Sequence, residues 1–397
     1  MRFFKAIACA VGLTLFSLSS YAAGYVTSVS GYDFRQPDAK LSPDGKYLAM
    51  ALVNDGRRSL VVVETDGFKS VGGVNFGRMQ DVGNFHWAND ERLVMEILHR
   101  EEWDDNPKFY GELYAVKYNG KHGDMVYGFR AGEQQVGSKR KRKEAIYGWA
   151  RIISLMPNDK DEILISSTDM PGGSELFEDR QKRNLVRAAD TSKLFSSVHK
   201  LNLKTRRMSS SYTRSPEPNT TFIADQDGKL VFAYGAEPGT KMKMYRYVDD
   251  EWQRMDVGKG DSFMPISFSK DLQSMVYLDN SESDSACLYR QNLATKEIEM
   301  MHDECGLEPS QIAMTVDQSS VYAVKTSDFE TPYAMLDTNG VESDFFSQIY
   351  GMFEGQKVDV SGRSRDGNYW IVRTQSADQT LGFYLYSRSK NEFSKVL

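Results

Sequence analysis

The chain has 397 residues, 40% of them hydrophobic and 12% aromatic, with a formal charge of −6. That is ample material for a large core, and the acidic balance gives no basic footprint for nucleic acid. Only 11 prolines and well-mixed charges exclude long disordered tracts.

The first element reads as an export signal. Arg2 and Lys5 form a basic start, Ala6 to Leu18 an apolar run, and Ser20-Tyr21-Ala22 a small-x-small cleavage site. The run falls short of the roughly 20 apolar residues of a membrane helix. Cleavage after Ala22 is expected, leaving residues 23–397 in the periplasm or outside the cell with no stable membrane span. An uncleaved anchor is the alternative.

Next comes "LSPDGKYLAMALVNDGRRSLVVVETDGFKSVGGV". It predicts strands at Tyr47–Val53, Ser59–Glu64 and Lys69–Val74, with tight turns at Asp44-Gly45 and Asp66-Gly67. The same grammar returns at Asp90, Lys160, Asp227, Asp271, Asp317 and Asp366. Four of the six spacings between these markers fall in the range of roughly 40 to 50 residues of a four-stranded propeller blade. The two longer ones are read as blades with insertions, which loops tolerate at low cost.

The pattern predicts an all-β fold, a seven-bladed β-propeller with four-stranded blades. The expected blades span about 36–76, 82–130, 149–213, 219–258, 263–303, 310–348 and 356–397. The last blade draws its strands from "KVDVSG", "NYWIVRTQS", "GFYLYSR" and "EFSKVL". No strand is left to stitch it to the first, so the ring is expected to close by side-chain packing, with weaker cohesion at that seam. Helical periodicity is confined to Ser174–Phe195, which reads as a short amphipathic helix on a lid or docking loop, or as a loop alone. The run Ser138–Lys143 holds five cations, either to dock an acidic partner or lipid headgroup or as a solvated loop.

Export changes how the cysteines read. Cys9 leaves with the signal, and Cys287 and Cys305 remain to form one structural disulfide. Folding "ACLYRQNL" onto "EIEMMHDEC" about Thr295 and Lys296 sets the two thiols across a ladder at bridging distance.

Several segments, "LSPDGKYLA", "FHWANDERLVM", "RIISLMPNDKDEILISS", "VHKLNLKTRR" and "GFYLYSRSKNEFSKVL", resemble in this order the N-terminal propeller of the prolyl oligopeptidase family of serine peptidases. The closest flavour is its acylaminoacyl-peptidase and dipeptidyl-aminopeptidase-like branch. The resemblance implies an unstitched propeller followed by an α/β-hydrolase domain carrying a Ser-Asp-His triad, with the serine in a G-x-S-x-G elbow. That domain would begin about where Leu397 stands, and Leu397 is read as a module boundary. The resemblance also implies a use for "HREEWDD" (His99–Asp105). In the dipeptidyl-peptidase branch a propeller Glu pair grips the free amino group of the substrate, which makes Glu101, Glu102 and Trp103 candidate substrate contacts, although the surrounding residues depart from that branch's motif.

No G-x-S-x-G occurs in the sequence. "GRSRDG" (Gly362–Gly367) and "GDSF" (Gly260–Phe263) read as turns. None of His86, His99, His122, His199 and His302 lies in a metal motif, and His86, beside Trp87 in an apolar strand, reads as a packing residue. "DQDG" at Asp225 lacks the later glutamate of a calcium loop. No catalytic residue, metal or cofactor is expected in the chain. The expected partners are a separate α/β-hydrolase domain or a peptide ligand. The alternative is a stand-alone propeller that binds a peptide, glycan or protein.

Overall fold

The computed structural model describes residues 35–101, 104–132, 145–171, 193–225, 227–302, 309–326, 332–378 and 380–397. The expected leader over 1–22, the basic run Ser138–Lys143 and nearly all of Ser174–Phe195 lie outside them.

One turn chemistry starts the blades. In the first, Ser42 Oγ donates to Asp44 Oδ1 (2.8 Å), and that carboxylate accepts the Lys46 N–H (3.1 Å). Ser42 Oγ then accepts the Tyr47 N–H (2.9 Å). The side chains thus replace backbone partners and reverse the chain into the second strand. The same circuit is built by Ser269 and Asp271, by Thr315 and Asp317, and by Ser364 and Asp366. In blades 2 to 4 the turn acceptor is Asn89, Asp159 and Asp225, one or two residues before the sequence markers Asp90, Lys160 and Asp227.

Seven antiparallel sheets follow in chain order. Blade 1 holds β1 (Asp38–Leu41), β2 (Tyr47–Asn54), β3 (Arg57–Glu64) and β4 (Ser70–Val74). Blade 2 holds β5 (Gln80–Trp87), β6 (Arg92–Glu101), β7 (Asp104–Lys117) and β8 (Asp124–Tyr127). Blade 3 has β9 (Gly148–Ser154), β10 (Glu162–Asp169) and β11 (Ser196–Asn202), with single bridges to Met208 and Arg214 where a fourth strand was expected. Blade 4 holds β12 (Thr221–Ala224), β13 (Leu230–Gly235), β14 (Lys243–Val248) and β15 (Glu251–Arg254). Blade 5 holds β16 (Met264–Phe268), β17 (Ser274–Asp279), β18 (Cys287–Asn292) and β19 (Ile298–Met300). Blade 6 has β20 (Gln311–Met314), β21 (Val321–Lys325), β22 (Ala334–Met335) and then helix α1 (Val341–Ile349). Blade 7 holds β23 (Lys357–Arg363), β24 (Tyr369–Gln375), β25 (Leu381–Ser387) and β26 (Glu392–Lys395).

The expectation of a seven-bladed all-β propeller is met, with two departures. Blades 3 and 6 have three strands among the described residues. In blade 6 the sequence reading missed α1, whose Phe345, Phe346 and Ile349 are buried at helical spacing. The ring of Phe345 lies 4.5 Å from that of Trp370, and Phe346 lies 4.9 Å from Tyr333.

The core is distributed as one apolar cluster per blade interface, because side chains alternate across each sheet and both faces are covered. Ala115 and Val94 of blade 2 meet Ile152 and Ile163 of blade 3, for example, and Val276 and Leu288 of blade 5 meet Ile312 and Val321 of blade 6. The seam obeys the same rule. Ala39, Leu48 and Val63 of blade 1 pack on Ile371, Phe383 and Leu385 of blade 7. No sheet ladder crosses the seam among the described residues. One backbone bond reinforces the packing, from Arg365 N–H to Pro43 O (2.8 Å), with an ion pair from Lys390 Nζ to Asp66 Oδ1 (2.8 Å).

The first strand of every blade lies innermost, around the axial channel, while β15 and β19 are largely exposed at the rim. Strand alternation then fixes the two ends of the ring. The Asp-capped turns gather at one end. The insertions after β8 and β10 attach at the other, where blade also passes to blade.

Candidate functional site

The inner end of blades 1 to 3 concentrates charge that an apolar sheet interface does not need. Its origin is a bulge in β5. Pairing with β6 slips between Val82 and Phe85, leaving Gly83 and Asn84 out of register. Gly83 has no alternative there, since an added Cβ would stand 2.8 Å from Glu96 Cβ and 3.1 Å from its carbonyl oxygen. Glu96, in β6, comes up behind the bulge and accepts the Asn84 N–H at 3.3 Å.

Three cations surround that carboxyl. Lys40 of β1 donates to Asn84 Oδ1 (3.0 Å) and Phe85 O (2.6 Å), and lies 3.6 Å from Asp38 Oδ2. Arg58 of β3 donates to Gly83 O (2.7 Å). Arg151 of the inner strand β9 is half-buried and within the electrostatic reach of Glu96, and its side chain makes no hydrogen bond or ion pair with the described residues. Burial dominates the titration of the group. It pushes the Glu96 carboxyl up to about 7, against the opposing pull of Asn84 N–H, Lys40, Arg151 and Arg58. It brings Lys40 down to about 8, partly countered by Asp38. His86, buried in β5, is held neutral by burial and by Lys40, well below its ordinary range, as suits a packing residue.

The predicted substrate contacts lie elsewhere on the same blade. Glu101 ends β6, five residues beyond Glu96 and so about 17 Å along the strand. It stands opposite Asp104 and accepts the Tyr110 hydroxyl proton at 3.2 Å. Glu102 and Trp103 lie outside the described residues. Beneath this hairpin Glu112 is fully buried, bonded by His99 Nε2 (2.6 Å) and by Arg130 Nε (2.9 Å). Burial raises the Glu112 pKa, but the bonds from His99 and Arg130 prevail and hold the carboxyl below its usual range. That closed triad is structural. It ties β6, β7 and the 3-10 turn Phe129–Gly132 together.

The cysteine register needs correction. β18 pairs β19 as Tyr289 with Met300 and Gln291 with Ile298, which sets Cys287 opposite His302 rather than Cys305. Asn292 Oδ1 accepts from Ala294 and Thr295 N–H (both 2.9 Å), and Lys296 takes a left-handed φ of 65°. The turn is therefore centred earlier than expected. Cys287 is buried and disulfide-bonded, and Cys305, its expected partner, lies outside the described residues. No cluster of three or more metal-ligating side chains occurs among the described residues.

Sequence reasoning missed Lys40, Glu96 and Arg151. A signal existed for one of them, since Glu96 interrupts the apolar run "LVMEIL" at a position that a central strand buries.

No family model matches the sequence, and no curated protein does. Among solved structures, a prolyl endopeptidase aligns with a TM-score of 0.54 at 9% identity, covering 91% of this chain and 50% of its own. Puromycin hydrolase aligns with a TM-score of 0.51 at 11% identity, covering 94% of this chain and 56% of its own. The chain spans about half the length of these proteins. At such identities the likeness is one of fold, that of peptidase propeller domains.

Proposed function

We propose that this chain is an exported, substrate-gating propeller of a two-part serine peptidase, in which an α/β-hydrolase unit beside it breaks the bond. Three things support the reading. The ring shares the fold of peptidase propellers over nearly its whole described length. The sequence supplies no nucleophile elbow, so acyl transfer must come from another unit. Where the inner strands of blades 1 to 3 meet, both signs of charge gather, Lys40 on β1 and Arg151 on β9 with Glu96 and Arg58 packed behind them. This last is the observation that carries the proposal, because a short peptide also presents both signs at its ends. A wall that was apolar throughout would not select for it. Glu101, with Glu102 and Trp103 beside it in sequence, remains a proposed second contact, for a free amino group.

The test uses purified protein with synthetic peptides of three and of thirty residues, followed by equilibrium dialysis and mass spectrometry. The short peptide is retained, the long one is not, neither is cut, and a fluorophosphonate probe labels no serine. Cleavage or labelling would overturn the non-catalytic role. Retention of neither peptide would overturn gating. Equal retention of both favours the stand-alone binding propeller.

A further inference from the structure

We propose that the outer edge of blade 3 is a docking surface for an anionic lipid bilayer, with Lys200, Lys204, Arg207 and Arg214 meeting the headgroups and the rings of Phe195 and Tyr212 seated among them.

The surface is built where the chain doubles back on β11, the outermost strand of its sheet. Asn202 Oδ1 accepts the N–H groups of Lys204 (3.1 Å) and Thr205 (2.7 Å), and Arg206 takes a left-handed φ of 60°, which reverses the chain. The return segment then lies along β11. Ser209 N–H donates to Lys200 O (2.9 Å), Tyr212 N–H to Val198 O (2.9 Å) and Ser215 N–H to Ser196 O (2.8 Å). Trp252 of β15 fastens this segment to blade 4, donating its indole N–H to Arg214 O (3.0 Å). The backbone path is held at both ends, so its side chains are presented together.

Those side chains carry one sign of charge. Residues 195–215 hold five cations, Lys200, Lys204, Arg206, Arg207 and Arg214, and no carboxylate, in a chain whose formal charge is −6. Arg206 is taken by Asp124 of blade 2 (2.5 Å), and the other four have no ion pair among the described residues. The next carboxylate along the chain, Glu217, is held by Lys243 Nζ (3.0 Å) and the Tyr245 hydroxyl. Asp249, Asp250 and Glu251 belong to the neighbouring hairpin between β14 and β15. Lys200 and Arg214 lie over rings instead. Lys200 Nζ is 6.0 Å from the centre of the Tyr212 ring, and Arg214 Cζ is 4.6 Å from that of Phe195.

Charge by itself is the ordinary guard of an edge strand against strand addition. Exposed rings are what that guard does not need, and here Tyr212 is 51% and Phe195 38% exposed. Rings beside cations suit the headgroup layer of a bilayer, where amphipathic aromatics settle and Lys and Arg meet anionic lipid. The set lies on the rim and runs about 20 Å from Arg207 to Arg214, so a flat partner touches it along its length. Charges farther away than a Debye length of about 8–10 Å are screened, which leaves the local cations, not the net charge of the chain, to decide the contact.

Cosedimentation of the exported protein with vesicles of phosphatidylcholine, pure or mixed three to one with phosphatidylglycerol, tests this. The protein binds the mixed vesicles on the order of a hundredfold more tightly than the neutral ones, at about fivefold per cation at the surface, and molar salt releases it. Lys204→Gln combined with Arg207→Gln loses about 25-fold. Lys296→Gln combined with Lys395→Gln, exposed positions on blades 5 and 7, binds as the parent does. Tyr212→Ser binds more weakly than the parent at equal salt, and circular dichroism shows all variants folded. Equal binding to both vesicles, equal losses in the two paired variants, or unchanged binding of folded Tyr212→Ser would each overturn the proposal. Binding to dextran sulfate but not to mixed vesicles would assign the cations to a soluble polyanion and overturn the lipid surface. Binding to neither would overturn the docking surface outright.

Discussion

Glu96→Gln is the sharpest probe of the axial wall, because it keeps shape and hydrogen-bonding capacity while abolishing one ionisation. In the unfolded chain Glu96 titrates near 4.5, and in the folded ring near 7. A carboxyl whose folded pKa is raised binds more protons in the native state between those values, so native stability falls as pH rises through that window. At about 1.4 kcal/mol per pH unit of displacement, the ceiling on the loss is about 3 kcal/mol. Because Glu96 is only half-buried, solvent screening reduces that to about 2 kcal/mol. Below pH 4.5 the two proteins are alike in this respect. Lys40, lowered to about 8 by burial, is present in both, and Glu96 is the smallest of the influences on it, so its titration largely cancels in the difference. The assay is urea denaturation of both proteins at pH 5 and pH 8, comparing midpoints at constant slope. The variant gains about 2 kcal/mol on the parent between the two pH values. A gap that stays constant would refute the burial argument. One that shrinks would show that attraction to Arg151 and Lys40 outweighs burial.

Other consequences follow from packing and turns. Phe383→Ala empties a site only 1% exposed at the seam and costs about 3–5 kcal/mol. Hydrogen exchange of the variant should then report faster opening of blades 1 and 7 than of blade 4. Gly83→Ala pushes a methyl to 2.8 Å from Glu96 Cβ, and a loss of about 1–3 kcal/mol is expected by urea denaturation. Lys296→Gly, at an exposed position with φ 65°, should stabilise the fold by about 0.5–1 kcal/mol, read as a higher urea midpoint. Intact mass of the exported protein, before and after reduction and alkylation, should give a chain beginning at Ala23 with one bridge between Cys287 and Cys305. Two free thiols would remove the bridge.

What the sequence made legible was what is local. The Ser-x-Asp and Thr-x-Asp turns close within six residues and repeat, so they announced both the blade count and the first strands. Asp44, Asp271, Asp317 and Asp366 cap their turns as their spacing implied. Asn89 and Asp159 escaped notice because an adjacent residue, Asp90 or Lys160, carried the marker position. Helix α1 was hidden by its nine residues and by the expectation of a strand in that place. Its adjacent Phe345 and Phe346 read equally well as part of a strand buried on both faces. The β18–β19 register turned on one side chain, Asn292, whose carboxamide caps the hairpin earlier than a symmetric fold would. The charged wall was the least legible part. Glu96 and Arg151 belong to different blades, and only the packing of blade 3 on blade 2, with the bulge at Gly83, brings their fields together.

The central claim, that the axial wall of blades 1 to 3 is where a short peptide docks, is open to direct mapping. A benzophenone-bearing tripeptide with a free carboxylate is irradiated with the full chain, and the crosslinked residues are identified by mass spectrometry. The account predicts adducts on β1, β5 and β9, suppressed by excess unlabelled trialanine. Adducts confined to the rim strands β15, β19 and β26, or insensitive to competitor, would contradict it.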